Sequence, residues 1–226
     1  MDVLPADTTL DERERAATVA LLPIGSHEQH GPHLPLATDT LVATTLAREI
    51  AAAHPVRLLP PLTISCSQEH DAWPGTVSIS AATLTAVVRD VAASLHRGGV
   101  HSLVLVNAHG GNYVLGHVVQ EITSPRLALF PHELDWIEAR EAAGCETTIL
   151  SDMHAGELET SILLHAHPHL VRPPFRDELA DDRRHLLSRG MQEYTQSGVV
   201  GRPTLASAEK GAAVLASLVR SFAAYL

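Results

Sequence analysis

VALLPIGSHEQHGPHLPLATD, Val19 to Asp39, decides the fold. Its first six residues form a short apolar run of the kind that makes a buried strand. Beyond Asp39, Val42, Leu46 and Ile50 recur at helical spacing among alanines, so the order is strand, loop, helix. The loop between them holds three histidines, two carboxylates and two prolines. Pro32 and Pro35 each fix their own φ and restrict the residue before, which gives a stiff loop. Glu28 and His30 are two apart, and in extended chain that spacing sends both side chains to roughly the same side.

The same alternation continues outward. Val56–Leu59 is a second apolar run, stopped by Pro60-Pro61, and Leu84, Val87, Val88, Val91 and Leu95 mark a helix face that ends at Gly98-Gly99. SLVLVN, from Ser102, is the clearest strand. NAHGGN (Asn107 to Asn112) follows it and opens a helical pattern carrying Val114, Leu115, Val118, Val119 and Ile122. Arg126–Phe130 reads as a further strand, Glu157–His165 and Ser207–Leu226 as helices, and residues 173–189 as a polar surface excursion. Strands alternating with helices predict an α/β fold whose mostly parallel sheet is covered on both faces. Right-handed crossovers bring parallel strand ends to one edge, so the loops after VALLPI and SLVLVN are expected to meet there.

Composition narrows the function. At 226 residues with 45% apolar content, the chain is expected to form a single domain over 1–226, with residues 1–17 flexible. The N-terminus lacks the apolar centre of a signal peptide, and no apolar run approaches a bilayer's thickness, so we expect a cytoplasmic protein with no membrane partner. A net charge of −10 disfavours nucleic acid, whose binding rests on Lys and Arg. Cys66 and Cys145 are the only cysteines, which excludes a disulfide framework.

Three constellations carry chemistry. Glu28, His30 and Asp39, with His109 from the NAHGGN turn, offer the mixed nitrogen and oxygen donors that zinc, manganese or iron accept. The competing readings are an N-cap for Asp39, a polar surface loop for Glu28 and His30, a buried structural histidine for His109, and a phosphate-holding turn for NAHGGN. The third constellation, SDMHAGELETS (Ser151 to Ser161), pairs His154 with Glu157 and Glu159 at a helix start. There a histidine can carry a proton and a carboxylate can complete a metal shell, although acidic residues in a first turn also simply answer the helix dipole. HDAWPGT, His70 to Thr76, reads first as a Pro-Gly turn, with Trp73 able to wall a pocket. His165, His167 and His169 read as a helix end.

In order along the chain, GSHEQHGPHLPLATD, H-x-x-W-P-G-T, NAHGGN and HAGELETS resemble the creatininase family of metal-dependent amidohydrolases over roughly Val19 to Gly211. The resemblance implies a three-layer α/β/α sandwich, two divalent metal ions (Zn, Mn or Fe) at the strand ends, and a homo-oligomer, commonly a hexamer. It makes Glu28, His30, Asp39 and His109 metal ligands, with Asp39 bridging, and His154 the catalytic histidine. Ser67, Trp73, Gly110 and Gly111 fall on the substrate side. Creatinine-hydrolysing members follow the histidine matching His109 with a tyrosine and a metal-binding glutamate, where this chain has Gly110-Gly111. Glu159 is the expected replacement, with Glu157 or water as the alternatives. The same members carry a substrate-contacting tryptophan where Leu150 stands, so creatinine is not the expected substrate. SGVVGRPTLASAEKG, from Ser197, resembles a G-V-x-G-D-P stretch of Gly-Gly members, with Arg202 in place of the aspartate.

The resulting expectation is an amidohydrolase cleaving a small-molecule amide or short-peptide C–N bond with a metal-activated water. The Gly-Gly members it resembles include the mycofactocin-precursor peptidase and deformylases of ribosylated pyrimidines. Two other classes remain: a catalytically silent metal- or ligand-binding module, and a nucleotide-binding α/β protein.

Overall fold

The structure is a computed structural model and describes residues 4–226. Four parallel strands, β1 (Val19–Ile24), β2 (Arg57–Leu58), β3 (Ser102–Asn107) and β4 (Arg126–Phe130), lie in the order β2-β1-β3-β4. Side chains alternate between faces along each strand. Leu21, Val104 and Val106 enter one core with helices α2 (Thr38–Ala53), α5 (Glu133–Ala142), α6 (Glu157–Ala166) and α8 (Ala208–Ser221). Ala20, Leu22, Ile24, Leu103 and Leu105 enter the other with α3 (Ala81–Arg97) and α4 (Val114–Glu121). The result is the expected α/β/α sandwich, driven by side chains such as Leu21, Ile24 and Leu105 at 0% exposure, each worth about 1.5–3 kcal/mol on burial.

Register positions the site. Val19 pairs with Ser102 and Ile24 with Asn107, so β1 and β3 run the same length and release their loops side by side. The loop after β1 turns tightly onto α2. Gly25 lies against the backbone of Thr40, where any Cβ would collide. The chain then returns to α2 through a Glu28 N–H bond to the Leu36 carbonyl at 3.0 Å.

Several expectations shift in detail. Within the stretch expected to be flexible, Thr9–Arg15 forms helix α1. Its cap is a reciprocal Thr8–Asp11 box, and Glu12 pairs with Arg15 and with Arg57 of β2. Local capping and ion pairs order a segment with no buried residues. The second apolar run shrinks to a two-residue strand because Pro60 and Pro61 have no N–H to extend the ladder. The 173–189 excursion holds the short helix α7 (Leu186–Arg189), which comes over the strand ends. Among the described residues no helix is long and apolar enough to cross a membrane.

Candidate metal centre

The two loops meet at Asp39. Its place is the second residue of α2, whose N-cap is Ala37 without a side-chain hydrogen bond, so Asp39 does not cap the helix. One carboxylate oxygen lies 2.9 Å from His30 Nε2 and the other 2.9 Å from His109 Nδ1. Ser26 Oγ donates to the second oxygen at 2.7 Å. A bidentate carboxylate facing an imidazole on each side is the arrangement that can span two cations.

Glu28 is the second carboxylate and is 0% exposed. Neither of its oxygens has a hydrogen-bond partner, although imidazole nitrogens ring it. His109 Nε2 lies 3.2 Å from one oxygen, and His70 Nε2 and His154 Nδ1 lie 3.3 and 3.9 Å from the other. A buried carboxylate without a donor is costly, and a cation among the same nitrogens removes the cost. Three sets of donors stand close enough to share an ion: Glu28 with Asp39 and His109, Glu28 with His70 and His154, and His30 with His154 and Glu159. This mixture of imidazole and carboxylate suits Zn, Mn or Fe.

Main-chain carbonyls hold the rings. His30 Nδ1 donates to the Glu28 carbonyl at 3.1 Å, and His154 Nε2 to the Gln29 carbonyl at 2.7 Å. Fixing one ring nitrogen this way aims the other, a common device behind metal-binding histidines. A bridge to Val200 secures the His154 backbone, and Ala155 just after it takes a left-handed φ of 53°. Gln29 is itself fixed. Its amide oxygen accepts from Gly31 N–H, and its amide nitrogen donates to the Gly198 carbonyl and to His70 Nδ1.

The buried carboxylates and imidazoles shift one another's proton affinities. Burial pushes the Glu28 carboxyl up to about 7 against the pull of His109, and Glu159 likewise to about 7 against the pull of His30. Burial works against charge on His30 and His109, yet Asp39 and Glu28 raise them to about 9 and about 10. Burial would also raise Asp39, but His30 and His109 outweigh it and hold that carboxyl well below its usual range. The buried carboxylates thus favour positive charge at His30 and His109, the positions where a cation would replace the ring protons. Burial, together with the charge of His30, keeps His70 near 3 and His154 well below the ordinary imidazole value.

Glu157 and Glu159 take different roles. Glu157 accepts from Lys210 Nζ at 2.5 Å, from Thr147 Oγ1 and from the N–H groups of Glu146 and Thr147. It is a structural anchor away from the cluster, whereas Glu159 faces His30 and His154. Ser67 is buried beside Glu28. Trp73 is half-buried with its ring 6.4 Å from that of His70, and Gly110 and Gly111 line the cavity over the cluster.

His70 is the residue that the sequence reading missed. It lay in a motif read as a turn, yet it is 3% exposed and packs against His154 at 4.5 Å between ring centroids. A histidine directly before a tight turn was the available signal.

A small cavity of about 60 Å³ sits over the cluster. It shares His109, Gly110, Met153 and Glu159 with a cavity of about 270 Å³ lined by Trp136, Ile149 and Leu158. On its other side it shares Glu69, Gly111 and Tyr113 with a polar cleft of about 350 Å³.

A parallel α/β/α domain with buried imidazoles and carboxylates at its strand ends has the donors of a metal-binding enzyme site. The family model for creatininase, described as creatinine amidohydrolase, matches residues 6–226. The mycofactocin precursor peptide peptidase of Mycolicibacterium smegmatis is 34% identical over 220 residues, covering 91% of this chain and 83% of that protein. Its Mycobacterium tuberculosis namesake is 35% identical, with 88% and 80% covered. A solved mutant creatininase complexed with creatine superimposes with a TM-score of 0.83 at 25% identity, over 100% of this chain and 97% of that one. The chain belongs to the creatininase family, and with it to the hydrolases that act on carbon–nitrogen bonds.

Proposed function

We propose that the chain is a peptidase acting on a short precursor peptide, with two divalent ions (Zn, Mn or Fe) held by Glu28, His30, Asp39, His109 and Glu159. The observation that carries the peptide reading is that the cavity over the cluster is flanked by, and shares lining residues with, a largely apolar cavity and a polar cleft. An extended chain uses both, whereas a compact lactam fills one. The identity to mycofactocin precursor peptidases over most of both chains supports the same substrate class.

Asp39 would serve both ions, with Glu28 and His109 holding one and His30 and Glu159 the other. When bound, such ions supply an ionised water near neutral pH and polarise the substrate carbonyl. His154 serves the leaving nitrogen. Its Nε2–H is committed to the Gln29 carbonyl, so Nδ1 takes up and passes on the proton. Burial disfavours the imidazolium, so a proton gained there is readily given up, a contribution of roughly 10²–10⁴-fold. Gly110 and Gly111 leave room for the peptide backbone, and Ser67 and Trp73 stand on the substrate side. We also read the working form as a homo-oligomer in the cytoplasm; the exposed Leu134, Leu150, Leu179 and Leu187 bear on the self-association alone, as apolar surface it could cover.

The test is a chelation and metal-readdition assay on three substrate sets: short peptides, formylated amines including a ribosylated formamidopyrimidine, and cyclic ureas. Peptide cleavage that stops with chelator and returns with metal is expected. Turnover of a formylated amine alone assigns the deformylase reading instead, and turnover that ignores the chelator removes the metal from the reaction.

A further inference from the structure

The donor set of Glu28, His70 and His154 stands between the other two and shares one residue with each. His70, at 3% exposure, belongs to that set alone. Its ring nitrogens meet different partners. Nδ1 lies 2.9 Å from the Gln29 amide nitrogen, and Nε2 lies 3.3 Å from Glu28 Oε1.

Gln29 decides which of the two carries the hydrogen. Its amide oxygen accepts from the Gly31 N–H at 2.9 Å, and its amide nitrogen donates to the Gly198 carbonyl at 3.0 Å. Main-chain groups cannot exchange roles, so the amide cannot be turned over. The nitrogen's second hydrogen therefore goes to His70 Nδ1, and a neutral imidazole that accepts at Nδ1 holds its own hydrogen on Nε2. A ring nitrogen that carries hydrogen has no lone pair for a metal. Gln29 fixes the neighbouring ring as well. Its carbonyl takes the His154 Nε2–H at 2.7 Å, which leaves Nδ1 of that ring bare, 3.9 Å from Glu28 Oε1. Of these two imidazoles, only His70 thus offers Oε1 a hydrogen. At 3.3 Å the pair is slightly longer than an aligned N–H···O bond, and Oε1 has no other donor among the described residues.

We propose that His70 is a positioning residue and not a metal ligand: Gln29 holds it with hydrogen on Nε2, and it donates to Glu28 Oε1 so that Oε2, beside His109, is left to the cation. Glu28, His70 and His154 then share no ion. The part concerning the cation rests on the two-ion reading above, whereas the tautomer is a property of the chain alone.

The experiment labels the histidine rings with ¹⁵N and reads them by solid-state NMR, which distinguishes a bare ring nitrogen, one carrying hydrogen and one bound to zinc whatever the size of the assembly. Subtracting the spectrum of His70→Gln isolates His70, and His70→Asn provides the subtraction if melting curves show that His70→Gln does not fold. A hydrogen on Nε2 and none on Nδ1 is expected, before and after zinc is added. A hydrogen on Nδ1, or an Nε2 that gives up its hydrogen to zinc, overturns the proposal. Zinc per chain and chelator competition are measured on the same samples. His70→Gln, which keeps an N–H donor, should hold both ions within about threefold of wild-type affinity, whereas His70→Phe should weaken one by about tenfold or more. Loss of an ion in His70→Gln would make His70 a ligand, and wild-type affinity in His70→Phe would remove its hold on Glu28. A wild type that takes up no zinc sinks the two-ion reading, and the metal-free spectrum still decides whether Gln29 sets the His70 ring as proposed.

Discussion

Asp39 is the residue on which the site turns, because its two oxygens link His30 of the first loop directly to His109 of the second. Asp39→Ala is expected to lose both metal and activity, and elemental analysis showing unchanged metal would contradict its placement between two ions. His154→Ala should keep its metal and lose turnover by roughly 10²-fold or more; full activity would remove His154 from its role. Glu157 makes a different prediction. Burial opposes its charge, but Lys210, Thr147 and two backbone N–H groups outweigh that and lower its carboxyl below the usual value. A carboxyl depressed in the folded state stabilises above its unfolded pKa, near 4.5, and that contribution is lost as pH falls through the folded value. Glu157→Gln should therefore cost about 3 kcal/mol at neutral pH, and the gap to wild type should close in strong acid when unfolding is followed by denaturant titration.

At the scale of elements, the join between β1 and α2 governs the centre. Gly25 lies against Thr40, one residue past Asp39, so Gly25→Ala forces the first turn of α2 away from the strand. We expect about 1–3 kcal/mol of lost stability from this overpacking, together with weakened metal binding, read by thermal melting and chelator competition on the same sample. Stability loss with unchanged metal affinity would show that the helix start can move without moving Asp39. The strands and helices around this join were legible because period-2 and period-3.6 patterns are local. Helix α1 was not, since it buries no residue and so carries no apolar period, and its pairing of Glu12 with Arg57 reaches far along the chain.

For the whole molecule, the site lies between two cores and draws donors from positions 28 to 159, so metal binding should report on global folding. Ions that bind the native state alone stabilise it by mass action, about 2.7 kcal/mol at a hundredfold excess over Kd. Removing them should lower the melting temperature by roughly 5–10 °C in a chain of this size. Calorimetry with and without chelator checks this, and coincident curves would mean that the cluster folds without its cations.

Hydrophobic periodicity along the chain determined the α/β sandwich, and the shared edge of the parallel strands followed from it. That edge was enough to bring Glu28, His30, Asp39 and His109 together, because each leaves a strand or opens a helix at a place the pattern fixes. Only the tertiary structure could set Glu159 beside His30 and His154 and tie Glu157 to Lys210 and Thr147, and only it could draw His70 into the cluster. Those side chains ride on a turn and a helix start whose direction depends on contacts with Gln29 and Lys210, and contacts between distant segments leave no periodic trace in a sequence.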